Sequence, residues 1–115
     1  AKSAVHKVAI DERIRDYIVE IVHATRDPAS SQTRFSLDLP NLIEFGASPR
    51  ASIALAKAAR AHALLDGRAF VTPSDIKSVG MDVLRHRVVV GYEAEAEGVT
   101  PEDIIQEIFN RVPIP

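Results

Sequence analysis

Cysteine and tryptophan are absent from the 115 residues, and aromatic side chains make up only 5% of the sequence. The absence of cysteine excludes disulfide bonds, thiolate metal sites and a cysteine nucleophile, and it favours a cytoplasmic location. Because aromatic residues are so few, the core has to be built from Ile, Leu, Val and Ala. The chain is long enough for one domain of ordinary size and too short for two.

A charge excess and a long apolar run are missing as well. The formal net charge is −2, whereas a nucleic-acid-binding module usually carries a strong basic excess, so nucleic acid is not an expected partner. No stretch approaches the roughly 18 apolar residues of a membrane-spanning helix, and no signal peptide opens the chain. Because the sequence starts at Ala1 rather than Met, we expect a piece of a longer protein.

The motifs of common enzymes and nucleotide sites are absent too. The sequence has no GxxxxGK[ST] phosphate loop, no GxGxxG, no HExxH metal motif and no GxSxG nucleophile elbow. We therefore expect no enzymatic activity from the isolated chain. Four histidines lie in different segments and are expected at the surface or half-buried: His6, His23, His62 and His86.

What is present is a set of helix signals. Apolar residues recur with the 3.6-residue period, and Ser or Thr followed by Pro opens three of the four predicted helices. The second of these is so rich in alanine that we expect it to be central, with the others packed closely around it. The predicted helices cover about 11–26 and 48–66, and two more begin at Thr72 and Thr100.

The intervening segments are less regular. Residues 29–45 form a long polar connection, and Gly80 predicts a division of the third helix into two. Residues 88–90 have extended character, and the alternation of Glu and Ala from Glu93 to Glu97 is typical of an exposed strand or loop; a metal site there is not expected. The fold class is therefore mainly α, a small bundle of four or five helices with a short β-ribbon near residues 88–97.

One helix start combines features that point to an anion. Ser48 is a good N-cap and Pro49 suits the first helical position, so the free N–H groups of that turn favour a negative ligand. Arg50 lies in the same turn, and with Lys57 and Arg60 it falls within about 80° on one helix face. Two interpretations stay open: an anion site, or an ordinary cap followed by solvated charges or ion pairs.

The stretch from Gly46 to Leu55 resembles the sensor-two signature of MoxR-type AAA+ ATPases, a Gly-x-Ser-Pro-Arg-Ala pattern that begins their lid helix. Residues 58–76 resemble the rest of that helix and the turn into the next one. Leu84-Arg85-His86-Arg87 and residues 97–100 continue the match, which covers about residues 10–112. The long connection at 29–45 departs from the family pattern.

The resemblance implies that residues 11–115 are a helical AAA+ lid and that residues 1–10 connect it to an ATPase core. It implies Arg50 as the catalytic sensor-two residue that contacts ATP, with Ser48 and Pro49 completing the nucleotide-binding turn. The core would hold the Walker motifs and Mg²⁺. Implied partners are that core, neighbouring subunits of a ring, commonly a hexamer, and a von Willebrand A-domain protein, in a chaperone-like remodelling machine.

An alternative from a different class also fits the sequence. The chain could be a free-standing helical interaction module that binds an acidic protein or nucleic acid through the basic stripe of Arg50, Lys57 and Arg60. An ATPase core encoded upstream would favour the lid.

Overall fold

The computed structural model describes residues 7–115. Residues 1–6, which include His6 and most of the predicted connecting segment, lie outside the described part. In chain order the elements are helix α1 (Glu12–Arg26), a 3₁₀ turn (Pro28–Ser30), helix α2 (Leu39–Leu42), strand β1 (Ile43–Phe45), helix α3 (Arg50–Leu65), helix α4 (Pro73–Leu84), strand β2 (Val89–Val90), helix α5 (Tyr92–Glu97) and helix α6 (Pro101–Arg111). The mainly helical fold class is confirmed, and residues 7–115 contain four long helices and two short ones.

The core is aliphatic, as the composition predicts. Helix α3 packs against α4 and α1, and its buried residues, Ala51, Leu55, Ala59 and Ala63, recur every four positions. Three of these four side chains are methyl groups, which let neighbouring helices approach closely. The opposite flank of α3 is not covered: Ile53 is 67% exposed.

Helix α4 is continuous through Gly80, so the predicted division into two helices is wrong. A Cβ atom at position 80 would lie 2.2 Å from Cζ of Phe109 in α6. The missing side chain therefore makes room for an aromatic ring from another helix. The glycine is a packing requirement of the α4–α6 contact and does not end the helix.

The predicted strand or loop at residues 93–97 is also wrong, because these residues form α5. Glu and Ala are both good helix formers, and Gly98 closes the helix in the left-handed conformation at φ 75°. Ala94 is fully buried and fixes α5 on the domain. The predicted β-ribbon exists, but β2 pairs antiparallel with β1 rather than with residues 93–97.

The long connection after α1 is held by one carboxylate of α6. Glu107 accepts hydrogen bonds from the Ser36 N–H at 2.6 Å, the Ser36 hydroxyl at 2.5 Å and the Leu37 N–H at 3.0 Å. Burial alone would raise the pKa of Glu107, but these hydrogen bonds and the charge of Arg111 outweigh it, so the pKa is lowered. The same connection also contacts the core, since its Leu39 and Leu42 side chains are buried.

The described end of the connecting segment packs into the domain. The Ala9 N–H donates to the Ala69 carbonyl at 2.9 Å, and the Val71 N–H donates to the Ala9 carbonyl at 2.9 Å. Val8 beside them is buried. Residues 8 and 9 therefore fix the direction from which the chain reaches α1. None of the helices within residues 7–115 is long and apolar enough to cross a membrane.

Candidate functional site

The turn before α3 lies directly on the C-terminal end of α1. A Cβ atom at Gly46 would stand 1.9 Å from the Thr25 carbonyl oxygen and 2.6 Å from the Arg26 nitrogen. These are backbone atoms and cannot swing aside as a flexible side chain can. Only a residue without a side chain lets the two backbones approach so closely.

A buried hydrogen-bond relay fixes the next residue. The Thr25 hydroxyl donates to the Val22 carbonyl at 2.7 Å and accepts the Ala47 N–H at 3.0 Å. Thr25 is completely buried and Ala47 is 1% exposed, so water does not compete for these bonds. The start of α3 is thus held in a defined position relative to α1.

Helix α3 begins one or two residues later than the prediction. Pro49 has helical angles, φ −56° and ψ −25°, and the Ala51 N–H donates to the Ser48 carbonyl at 2.9 Å. Pro49 thus takes the early helical position that its missing N–H suits. The predicted side-chain cap is wrong: within residues 7–115 the Ser48 hydroxyl forms no hydrogen bond, and the backbone carbonyl of Ser48 accepts instead.

Arg50 is exposed at the first residue of α3. Across the described chain, its guanidinium makes no ion pair and no hydrogen bond. The dipole of a 16-residue helix mildly disfavours a cation at this end. An anion at this turn would remove that conflict and could meet both the guanidinium and the free N–H groups of the first turn.

The predicted basic stripe is divided by the fold. Lys57 and Arg60 line a groove between α1 and α3 together with Arg15. Arg50 is not among the residues that line this groove. Spacing along α3 therefore placed the three cations on one face, but packing against α1 gives Lys57 and Arg60 different surroundings from those of Arg50.

A buried carboxylate network near the end of α3 was only half predicted. Asp75 accepts hydrogen bonds from the Thr72 N–H at 2.8 Å and the Thr72 hydroxyl at 3.0 Å, which fits the predicted start of α4. It also contacts His62 Nδ1 at 2.6 Å and pairs with Arg68. Burial opposes ionisation, but the hydrogen bonds and Arg68 prevail, so the pKa of Asp75 is lowered. The network joins α3 to α4.

The described histidines and the glutamates of α5 lie apart from one another at the surface or half-buried. His23 and His62 are half-buried and His86 is exposed, as predicted. Glu93, Glu95 and Glu97 are all exposed on α5. Over residues 7–115, no three His, Asp or Glu side chains converge into a group that could hold a metal ion.

Comparison with known proteins agrees with this architecture. The family model described as AAA lid domain matches residues 41–108, more than half of the chain. Chaperone MoxR1 of Mycobacterium tuberculosis is 43% identical over 100 residues, which is 87% of this chain and 26% of that protein. Protein MoxR of Methylorubrum extorquens is 33% identical over 118 residues, covering 100% of this chain and 34% of that protein.

A solved structure is similar along nearly the whole chain. The crystal structure of a proposed ATPase from Cytophaga hutchinsonii superposes with a TM-score of 0.89 at 42% identity, covering 99% of this chain and 34% of that one. The chain thus spans about a quarter to a third of the length of the proteins it matches. It belongs to the AAA lid domain family and is the lid of a MoxR-type AAA+ ATPase.

Proposed function

We propose that this lid senses the nucleotide through Arg50, the sensor-two residue, which contacts the γ-phosphate of ATP bound to a core elsewhere in the polypeptide. The observation that carries the proposal is the anchored turn. Gly46 and Ala47 are fixed on α1, and Arg50, three residues after Ala47, is exposed and has no partner among residues 7–115. Because the turn is held in place by α1, the Arg50 guanidinium can bind a phosphate only in a defined position.

The bond between Arg50 and the γ-phosphate is strong enough to shift the lid between two conformations. A charge-assisted bond from Arg50 to a terminal phosphate contributes about 1.5–3 kcal/mol. ADP lacks that phosphate, so the bond is available in one nucleotide state only. A ligand shifts a conformational equilibrium only by its differential affinity for the two states, and Arg50 would supply that difference. The Thr25–Ala47 anchor would then pass the movement of the turn to α1.

The function proposed for the whole protein rests on the family to which this lid belongs. We propose that a core in the same polypeptide supplies the phosphate loop and the Mg²⁺ ligands, and that the assembled protein is a cytoplasmic hexameric ring of the kind common in this family. Its activity would be chaperone-like remodelling, with a von Willebrand A-domain protein as a candidate partner. Ser48 and Pro49 shape the nucleotide-facing turn through the backbone, and the lid alone hydrolyses no ATP.

The direct test is Arg50→Ala in the full-length protein. We expect the preference for ATP over ADP, measured by titration with fluorescent nucleotide analogues, to fall about 10- to 150-fold, the equivalent of one charge-assisted bond. ATP turnover should fall with it. Arg50→Lys keeps the charge without the planar fork and should give an intermediate loss.

Lys77→Ala is the matched control, because Lys77 is another exposed cation on a long helix of the domain. Its nucleotide preference should equal that of the wild type. If Arg50→Ala left both nucleotide preference and turnover unchanged, Arg50 would not belong to the site. Steady ATP hydrolysis by the 115-residue chain alone would refute the division of labour between lid and core.

A further inference from the structure

An apolar groove of about 400 Å³ lies between α1 and α3. Two large aliphatic side chains stand exposed along it, Val19 at 56% and Ile53 at 67%. Both belong to long, regular helices, so the shape of the groove is fixed by the helix packing. Exposed aliphatic residues that share one groove mark an interaction surface more often than single scattered ones do.

The groove is also strongly basic. Arg15, Lys57 and Arg60 line it, and no carboxylate of the described chain does. None of the three forms an ion pair within residues 7–115. The Arg60 Nε atom is buried without a hydrogen-bond partner in that range. The chain has a net charge of −2, yet these three cations have no acidic partner within residues 7–115. A ligand for this groove should therefore be both apolar and acidic.

Helix α5 of this same chain has that chemistry. Tyr92 is 86% exposed, and Ala96, one helical turn later, is exposed as well. Glu93 and Glu97 lie four residues apart beside this apolar pair and are also exposed. Residues four apart are neighbours on a helix surface, so α5 presents one apolar row flanked by one acidic row.

We propose that α5 of one copy docks into the α1–α3 groove of a second copy. The Tyr92 ring would cover the exposed aliphatic side chains of Val19 and Ile53. Glu93 and Glu97 would pair with Lys57 and Arg60, which are three residues apart on α3 and so have a similar spacing. The contact joins two different surfaces and therefore leaves a free groove at one end and a free α5 at the other, which permits a ring or an open chain.

This contact goes beyond nucleotide sensing and does not depend on it. An interface built on a six-residue helix is small, which places it among weak, transient contacts. Its charged pairs lie near the surface and are screened by salt. In a ring held by other contacts, it would align neighbouring lids.

The test is sedimentation equilibrium of the 115-residue chain over a concentration series at low and high salt. At low salt we expect the average mass to rise with concentration, and high salt should suppress the rise. The double variants Lys57→Glu/Arg60→Glu and Glu93→Lys/Glu97→Lys should each remain monomeric. The chain that carries all four substitutions should associate again, because the charges are exchanged across the interface.

Lys77→Glu, a reversal on α4 outside both surfaces, should self-associate like the wild type, and circular dichroism melts show whether each variant is folded. A wild-type chain that stays monomeric at every concentration would refute the proposal. So would association that survives both reversals, or that is lost with the groove reversal alone, since the occupant would then not be α5. Arg50→Ala should self-associate normally, which separates this result from the nucleotide proposal.

Discussion

The hydroxyl of Thr25, at the end of α1, accepts the backbone N–H of Ala47 at 3.0 Å. The two residues are 22 positions apart in the chain, and both are buried. The last turn of one helix therefore sets the position of the turn that carries Arg50.

Thr25→Val keeps the shape of the side chain and removes the hydroxyl. The buried Ala47 N–H then has no acceptor, so we expect the free energy of unfolding to fall by about 1–3 kcal/mol in urea titrations. In the full-length protein, the ATP preference assigned to Arg50 should weaken as the turn loosens. Thr25→Ser retains the hydroxyl and should preserve that preference; equal losses in both variants would mean that the hydrogen bond does not hold the turn.

Gly46→Ala places a methyl group against backbone atoms of α1. The new Cβ would stand 1.9 Å from the Thr25 carbonyl oxygen, so the turn has to move away, at a cost of about 1–3 kcal/mol. The measurement is again the unfolding free energy. Gly91→Ala is the control, because its Cβ would make an ordinary contact 3.7 Å from the Leu42 carbonyl oxygen, and it should change stability by less than about 1 kcal/mol.

Asp75→Asn removes the negative charge from the network that joins α3 to α4. We expect a loss of about 2–4 kcal/mol at neutral pH, because Arg68 and His62 lose their charged partner. Asp103 occupies the equivalent position in α6, where it accepts the Thr100 N–H at 3.0 Å but is exposed. Asp103→Asn should therefore cost less than about 1 kcal/mol.

The same pair of variants has a pH signature. Because folding lowers the pKa of Asp75, its stabilisation is complete above the ordinary carboxyl value of 3.8 and is lost as the pH falls below that value. The stability difference between wild type and Asp75→Asn should thus shrink on acidification, measured by urea titrations at a series of pH values. A difference that stays constant down to strongly acidic pH would show that the charge of Asp75 is not what stabilises the domain.

Several features of this domain were determined by the sequence alone. Thr72 and Thr100 open their helices where predicted, since a cap and the proline after it act within one turn of the backbone. The placement of Arg50 at the start of a long helix is equally local. The composition likewise predicted an aliphatic core, because no other apolar side chains were available in number.

The tertiary structure decided what depends on partners distant in the chain. Gly80 predicts a helix break from its sequence alone, but in the fold the Phe109 ring of α6 occupies the space where its side chain would lie. The sequence predicts no role for Glu107, because its hydrogen-bond partner Ser36 is 71 residues away in the chain. The basic stripe looked like one surface, but α1 packs beside only part of it and adds Arg15. Local signals fix where Arg50 lies along its helix, while the contact of Gly46 and Ala47 with Thr25, which only folding creates, decides how firmly that helix start is held.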